Sequence, residues 1–359
     1  MRLAHRIVLP PAGLHGTPEN MPTVVQDYST IDFDAPGKHH YQVAFHLDST
    51  WGYSLVPLTV INGLRRPGPG VVAFGGTHGN EWEGQVAIKR LSADLDAGEM
   101  CGSVILIPQL SESACVNNSR VSPLDGVNMN RAFPGNPRGS ISYRIAHFVK
   151  TCIFPRVGVV LDIHSGGNEG AFPICTSFHP IPDPALRARI AATAALFDPP
   201  FMLVYSGRMA SGLLTDEAEA EGKVTVGGEF GWGESVSPVG VRHAYEGIKN
   251  VLRHNGILSG EIVKIDPARP VPPRLIQAPD LEDYVPCPAD GVWEPVVTPG
   301  ADVREGELIG RLHDFSDHTS AAREIRTHRA GVVGMLRFPA VSKRGVTLYM
   351  IAREVATQP

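Results

Sequence analysis

Apolar and polar residues alternate along His40-Tyr41-Gln42-Val43-Ala44-Phe45-His46-Leu47, and residues 54–61 are β-branched and apolar. Both patterns predict strands, so residues 1–60 read as a strand-rich segment. Pro67-Gly68-Pro69-Gly70 then marks a turn. Val71-Val72-Ala73-Phe74 is a short unbroken apolar run, as expected of a strand buried on both faces. It stops at Gly75-Gly76 and passes into helical spacing at Glu81, Gly84, Val86, Ala87, Ile88, Leu91 and Leu95. The same alternation continues downstream. Residues 104–108 and 157–163 read as buried strands, and 201–204 and 224–226 as further strands. Residues 141–148, 185–196 and 245–254 read as helices. Strands alternating with helices predict an α/β layer with a mostly parallel sheet.

From about residue 262 the pattern changes. Pro267, Pro270, Pro272, Pro273 and Pro279 suggest a linker. Beyond it, short apolar runs separated by glycines predict a small β module. Pro288-Ala289-Asp290-Gly291-Val292 through Leu312 is echoed by Arg329-Ala330-Gly331-Val332-Val333 through Ala352. That echo resembles the two-fold strand pattern of biotinyl/lipoyl-type hemi-barrels. Such carriers bear a lysine between the halves, whereas Thr319-Ser320-Ala321-Ala322-Arg323-Glu324-Ile325 has none. A structural module without a covalent prosthetic group is expected. The predicted organisation is a strand-rich segment over 1–60, a catalytic unit over 61–262 and a hemi-barrel-like module over 275–359.

Composition removes several function classes. The 359 residues are 43% hydrophobic and 19% charged, enough apolar material for a sizeable core. Acidic residues number 37 against 32 basic, a formal charge of −5 with no basic stripe, which argues against a nucleic-acid partner. No run approaches the roughly 20 apolar residues that a membrane span requires. The N-terminal Ile7-Val8-Leu9 is too short for the core of a signal peptide. Five cysteines without a CxxC pair argue against a disulfide framework or a cysteine metal site. A reduced, cytoplasmic setting is therefore expected. Histidine is plentiful at 14, which directs attention to metal-ligand spacing.

Gly75-Gly76-Thr77-His78-Gly79-Asn80-Glu81 places an imidazole and a carboxylate three residues apart where a strand hands over to a helix. One helical turn would bring both to one point, and both are zinc donors. Leu161-Asp162-Ile163-His164-Ser165-Gly166 ends a buried strand with a second histidine. Open α/β sheets bind ligands at the carboxyl ends of strands, so His78, Glu81 and His164 should converge. Asp162 lies on the same strand face as His164 and could hold its imidazole from behind. Arg120 and the pair Asn130-Arg131 sit in a Gly/Pro/Asn-rich loop, and guanidinium forks match oxyanions. Glu229, in Val226-Gly227-Gly228-Glu229, is a single carboxylate at a strand end and a candidate general base. Glu83 and Glu234 are the alternatives for that role. His179 is expected in a loop at the pocket rim, and His39-His40 in a surface turn.

His78-x-x-Glu81, Asn130-Arg131, Asp162-x-His164 and the late Glu229, in that order, resemble the succinylglutamate desuccinylase/aspartoacylase family, relatives of the zinc carboxypeptidases. The resemblance covers about residues 60–260. Thr30-Ile31-Asp32-Phe33-Asp34, Arg120-Val121-Ser122-Pro123 and residues 251–261 are most similar to its ectoine-catabolic branch, whose members deacetylate N-acetyl-diaminobutyrate. The resemblance implies a mixed sheet flanked by helices and one zinc per protomer on His78, Glu81 and His164. It implies an enzyme that hydrolyses a linear amide, an N-acyl amino acid, to a carboxylate and a free amine. Glu229 would be the base and Arg120 the oxyanion stabiliser, with Asn130 and Arg131 binding a substrate carboxylate. A carboxypeptidase-like peptidase, or a binding protein on the same scaffold, is the rival. The oligomeric state stays open, with a homo-oligomer allowed.

Overall fold

A computed structural model describes residues 21–48, 50–65, 68–205, 211–269 and 271–355. The readings of residues 1–11, of Pro67 in its turn and of Pro270 in the linker lie outside these. In chain order the first elements are β1 (Thr23–Val25), β2 (Gly37–His46), β3 (Tyr53–Asn62), β4 (Gly70–Phe74), α1 (Trp82–Asp94) and β5 (Ser103–Ile107). Next come α2 (Glu112–Val116), α3 (Ile141–Phe148), β6 (Val159–His164), β7 (Gly170–Ala171), β8 (Cys175–Phe178) and α4 (Pro184–Ala195). β9 (Phe201–Tyr205), α5 (Leu214–Ala220), β10 (Val224–Glu229), α6 (Pro238–His254) and β11 (Arg274–Ala278) follow.

The sheet runs β1-β2-β3-β5-β4-β6-β10-β8-β9-β11 and then continues into the C-terminal strands. Its centre, β5-β4-β6-β10, is parallel. β8 reverses direction beside β10, so the sheet is mixed, as expected from the resemblance. The continuous apolar runs have their predicted cause. Val71 and Ala73 pack on one face against α1 and α6, and Val72 and Phe74 on the other against α3. Val71, Val72 and Phe74, fully withdrawn from water, each contribute about 1.5–3 kcal/mol. Gly84 lets α1 lie directly on β6, because a Cβ there would meet Ile163 O at 2.6 Å.

The sequence expectations need five corrections. Glu81 is not within the helix; it is the residue before α1, with extended backbone. α6 begins at Pro238, well before residue 245, with Ser237 accepting the Gly240 N–H at 3.1 Å. Proline at the first helical position starts a helix, since its missing N–H would have had no partner there. The proline-rich stretch read as a linker contains β11. His39 and His40 lie within β2, not in a turn. His179 follows β8 but is buried, not at a rim.

The C-terminal strands are β12 (Tyr284–Pro286), β13 (Gly291–Pro295), β14 (Asp302–Val303), β15 (Leu308–His313), β16 (Arg323–Arg326), β17 (Gly331–Arg337), β18 (Val341–Ser342) and β19 (Thr347–Glu354). β13, β15, β16 and β18 form a small antiparallel sheet. β19 pairs with β11, so the other strands of the module extend the large sheet. β17 also pairs with β7, just after His164. The Phe338 N–H donates to Glu169 O at 3.2 Å. The module is thereby fastened beside the carboxyl ends of the central strands.

Candidate active site

β4, β6 and β10 deliver their last residues to one edge. His164 ends β6, Glu229 ends β10, and the two are opposite one another in the parallel register. The chain leaving β4 turns at Gly75-Gly76 and carries His78 and Glu81 over that edge before α1 starts. Gly79 lets this turn press on α2, since a Cβ there would lie 2.0 Å from the Ala114 carbonyl carbon. The juxtaposition expected from a helical turn is therefore made by a tight turn instead.

Glu81 stands between the two imidazoles. Its Oε1 lies 2.8 Å from His78 Nδ1, and its Oε2 2.8 Å from His164 Nδ1. All three residues can offer one ligand atom within 4.8 Å of the others. The other ring nitrogens are held from behind. His164 Nε2 is 2.7 Å from Asp162 Oδ2, and Asp162 Oδ1 accepts from Thr77 Oγ1 at 2.7 Å. His78 Nε2 is 3.1 Å from Asn128 Oδ1. Both imidazoles thus aim Nδ1 at a common point, and their outer nitrogens have acceptors that fix the tautomer.

The electrostatics suit a cation. Burial alone would push the Glu81 carboxyl upward, but the facing His78 and His164 hold it well below the usual carboxylate range. Burial lowers the His78 pKa, which favours the neutral imidazole that can donate a lone pair. Burial also opposes a charge on His164, yet Asp162 and Glu81 outweigh it and raise its pKa well above the ordinary value. Two nitrogens and a carboxylate oxygen, with neighbouring acceptors, are the donor set that a catalytic zinc takes. The residues fit that ion.

Glu229 is different. Its Oε2 is buried with no hydrogen-bond partner among the described residues. Burial, and then the charge of Glu81, push its pKa up to about 8. A buried carboxylate oxygen without a partner and with a raised pKa makes Glu229 a candidate for proton exchange. The alternatives are engaged elsewhere. Glu83 accepts from Ser165 Oγ at 2.5 Å and from the Ser237 N–H at 2.9 Å. Glu234 accepts from Asn80 Nδ2 at 2.9 Å. Phe230 turns to the opposite face and packs in the core against Phe197, with ring centroids 5.6 Å apart.

The loop between β5 and α3 supplies the arginines. Arg120 Nη1 donates to Glu81 Oε1 at 3.1 Å, and its side chain remains 33% exposed. Asn130 is buried, with Nδ2 3.4 Å from His164 Nε2 and Oδ1 accepting the Leu214 N–H at 2.8 Å. Arg131 donates from Nη1 to Asn130 O at 2.6 Å and is otherwise exposed. The eight residues given a role in the sequence reading, His78, Glu81, Arg120, Asn130, Arg131, Asp162, His164 and Glu229, lie in this one region. Asn128 was missed, because an asparagine in a loop rich in asparagine carries no spacing signal. Asn128→Ala should weaken metal binding by about 10–100-fold with the ligands intact. Competition titration with a chelator measures it, and unchanged affinity would show that His78 needs no support.

Comparison with known proteins places the chain among relatives of one family. The family model for the succinylglutamate desuccinylase/aspartoacylase catalytic domain matches residues 67–255. A curated relative, the N-alpha-acetyl-L-2,4-diaminobutyric acid deacetylase of Halomonas elongata, is 34% identical over 331 residues, 91% of this chain and 95% of the relative. A crystal structure of a succinylglutamate desuccinylase/aspartoacylase from Rhodobacter sphaeroides superposes with a TM-score of 0.85 at 34% identity, covering 91% of this chain and 98% of that one. The product-bound ectoine utilization protein EutE of Ruegeria pomeroyi superposes with a TM-score of 0.83 at 31% identity, covering 90% and 98%.

Proposed function

The chain belongs to the succinylglutamate desuccinylase/aspartoacylase family, and from that premise we propose that it is a zinc-dependent deacylase of a small N-acyl amino acid. The observation that carries this reading is the meeting of His78 Nδ1, His164 Nδ1 and the Glu81 carboxylate beside the unpartnered Glu229. The relatives support the substrate class, since one is named for deacetylating N-alpha-acetyl-L-2,4-diaminobutyric acid.

His78, Glu81 and His164 would hold one zinc per protomer. When bound, zinc lowers the pKa of water and polarises an amide carbonyl. Glu229 takes the proton of the attacking water and returns it to the leaving amine. Arg120 keeps N–H groups beyond its single bond to Glu81, and these meet the oxyanion as it develops. Such a contact is worth about 3 kcal/mol in the transition state. Arg131 offers its fork to the substrate carboxylate. Asn130 is a positioning residue as much as a ligand, because its side chain spans His164 and the start of α5. The Phe338 corner of the C-terminal module, lying against Gly233, narrows the approach and favours small substrates. No described helix is long and apolar enough to cross a membrane, and we place the reaction in the cytoplasm.

The test is a panel of N-acyl amino acids and C-terminal dipeptides, with metal analysis on the same sample. Carboxylate release from the acyl amino acids, with about one zinc per chain, is expected. Release of C-terminal amino acids from the peptides alone would identify a carboxypeptidase.

A further inference from the structure

The reaction just proposed leaves one buried carboxylate without a role. Glu83, in the first turn of α1, is 1% exposed and forms no ion pair among the described residues. A carboxylate withdrawn from water is costly unless its oxygens are hydrogen-bonded. Glu83 has a donor on each. Oε2 accepts from Ser165 Oγ at 2.5 Å, and Oε1 accepts from the Ser237 N–H at 2.9 Å. Neither donor belongs to α1, since they lie 82 and 154 residues further along the chain. Glu83 therefore joins three segments that local structure alone would leave separate.

Each of the three carries a residue of the site. Glu81 immediately precedes α1, and Ser165 directly follows His164. Ser165 also donates its N–H to Glu81 Oε2 at 3.1 Å, so its two donors are divided between Glu81 and Glu83. Ser237 closes the segment 230–236 that leads from Glu229 into α6. His164 and Glu229 are opposite one another in the register of β6 and β10. Beyond them the two chains stay joined. The Phe230 N–H donates to His164 O at 3.0 Å, and the Gly166 N–H to Gly231 O at 2.8 Å.

The packing around this carboxylate is tight. A Cβ on Gly231 would lie 2.0 Å from Glu83 Oε1, and one on Gly240 would lie 2.9 Å from Glu83 Cγ. Gly231 does not have a left-handed backbone, so contact and not conformation calls for glycine there. The segment after Glu229 is thus pressed directly onto Glu83.

We propose that Glu83 is a positioning residue that sets the separation of the base Glu229 from the metal-ligating Glu81 and His164. It takes no part in the chemistry. Through Ser237 it holds the segment after Glu229, and through Ser165 the segment after His164, so the base faces the ligands at one fixed distance. This inference rests on the deacylase reading and adds to it the residue that fixes its geometry. A displacement of about 1 Å between reacting groups can cost about 10²-fold in rate, which is the size of effect such a residue controls.

The experiment compares wild type, Glu83→Ala, Glu83→Gln and Gly231→Ala, each zinc-loaded, on the N-acyl amino acid that the wild type hydrolyses best. Glu83→Ala should lower kcat about 10²-fold, with KM and zinc content unchanged. Glu83→Gln keeps an acceptor for the Ser237 N–H and should recover most of that loss. Gly231→Ala, whose Cβ displaces the carboxylate, should reproduce the defect with Glu83 intact, and it carries the test should Glu83→Ala fail to fold. In the Glu229→Gln background either substitution should have no further effect on kcat, because residues that act as a unit are not additive. A merely structural role lowers kcat by the same factor in both backgrounds, and that result overturns the proposal. Loss of zinc from Glu83→Ala also overturns it, since the residue would then support the ligands alone. Crystal structures give a readout without turnover. Segment 230–236 should shift relative to His164 in Glu83→Ala and in Gly231→Ala. An unmoved segment overturns the proposal and leaves the deacylase reading standing. A wild type that hydrolyses no N-acyl amino acid overturns both.

Discussion

Replacing Glu229 with glutamine is expected to lower kcat by about 10²–10⁴-fold while zinc stays bound. Glutamine keeps the shape at the end of β10 but cannot accept the water proton. Nothing else nearby replaces it, because Glu83 and Glu234 already accept hydrogen bonds from Ser165, Ser237 and Asn80. KM should change little, since a group acting in proton transfer adds little ground-state binding. The pH profile follows from the base's charge. Glu229 works only when deprotonated, so kcat/KM should rise with pH along an acidic limb. Burial and the Glu81 charge push its pKa up to about 8 without a metal, and a bound dication brings it down by favouring the carboxylate. That limb should vanish in Glu229→Gln. Arg131→Ala should show the opposite kinetic pattern, raising KM for a carboxylate-bearing substrate. Near-normal turnover in a zinc-loaded Glu229→Gln enzyme would refute the assigned base.

His164→Ala is expected to remove both zinc and activity, because it deletes one of three ligands and leaves Glu81 with a single imidazole. Asp162→Asn should be milder. It keeps the ligand but weakens the acceptor behind it, at a typical loss of about 10–100-fold in metal affinity. Thermal unfolding gives a readout independent of catalysis. An ion that binds only the folded chain stabilises it by roughly 4 kcal/mol at a thousandfold excess over Kd. Added zinc should therefore raise the wild-type Tm and leave that of His164→Ala in place. Full zinc occupancy in His164→Ala would show that the ion sits elsewhere.

The central strands, and the candidate metal residues at their ends, were legible in the sequence. Parallel strands covered on both faces must be apolar throughout, so β4, β5 and β6 announced themselves as unbroken runs. His164 and Glu229 were legible because each directly ends such a run, where an α/β sheet binds ligands. The ends of elements were less so. The start of α6 was hidden by Pro238 and Gly240, which read as breakers until Ser237 and the proline are seen to begin the helix. β11 was hidden among prolines, because its strand character comes from pairing with β9 and β19.

Other features were decided only in three dimensions. Asn128 behind His78, Thr77 behind Asp162, and Asn130 bridging His164 to α5 are contacts between residues up to 85 positions apart. The union of His179 with Asp216 and Glu219 depends on β8 lying antiparallel to β10 and on α5 lying against β6 and β10. Sequence determines which residues can bind a metal or a charge and on which local element they ride, because hydrophobic periodicity is a local property. Tertiary structure decides which of them meet, because strand order and register are set by pairings between distant segments that no local pattern records.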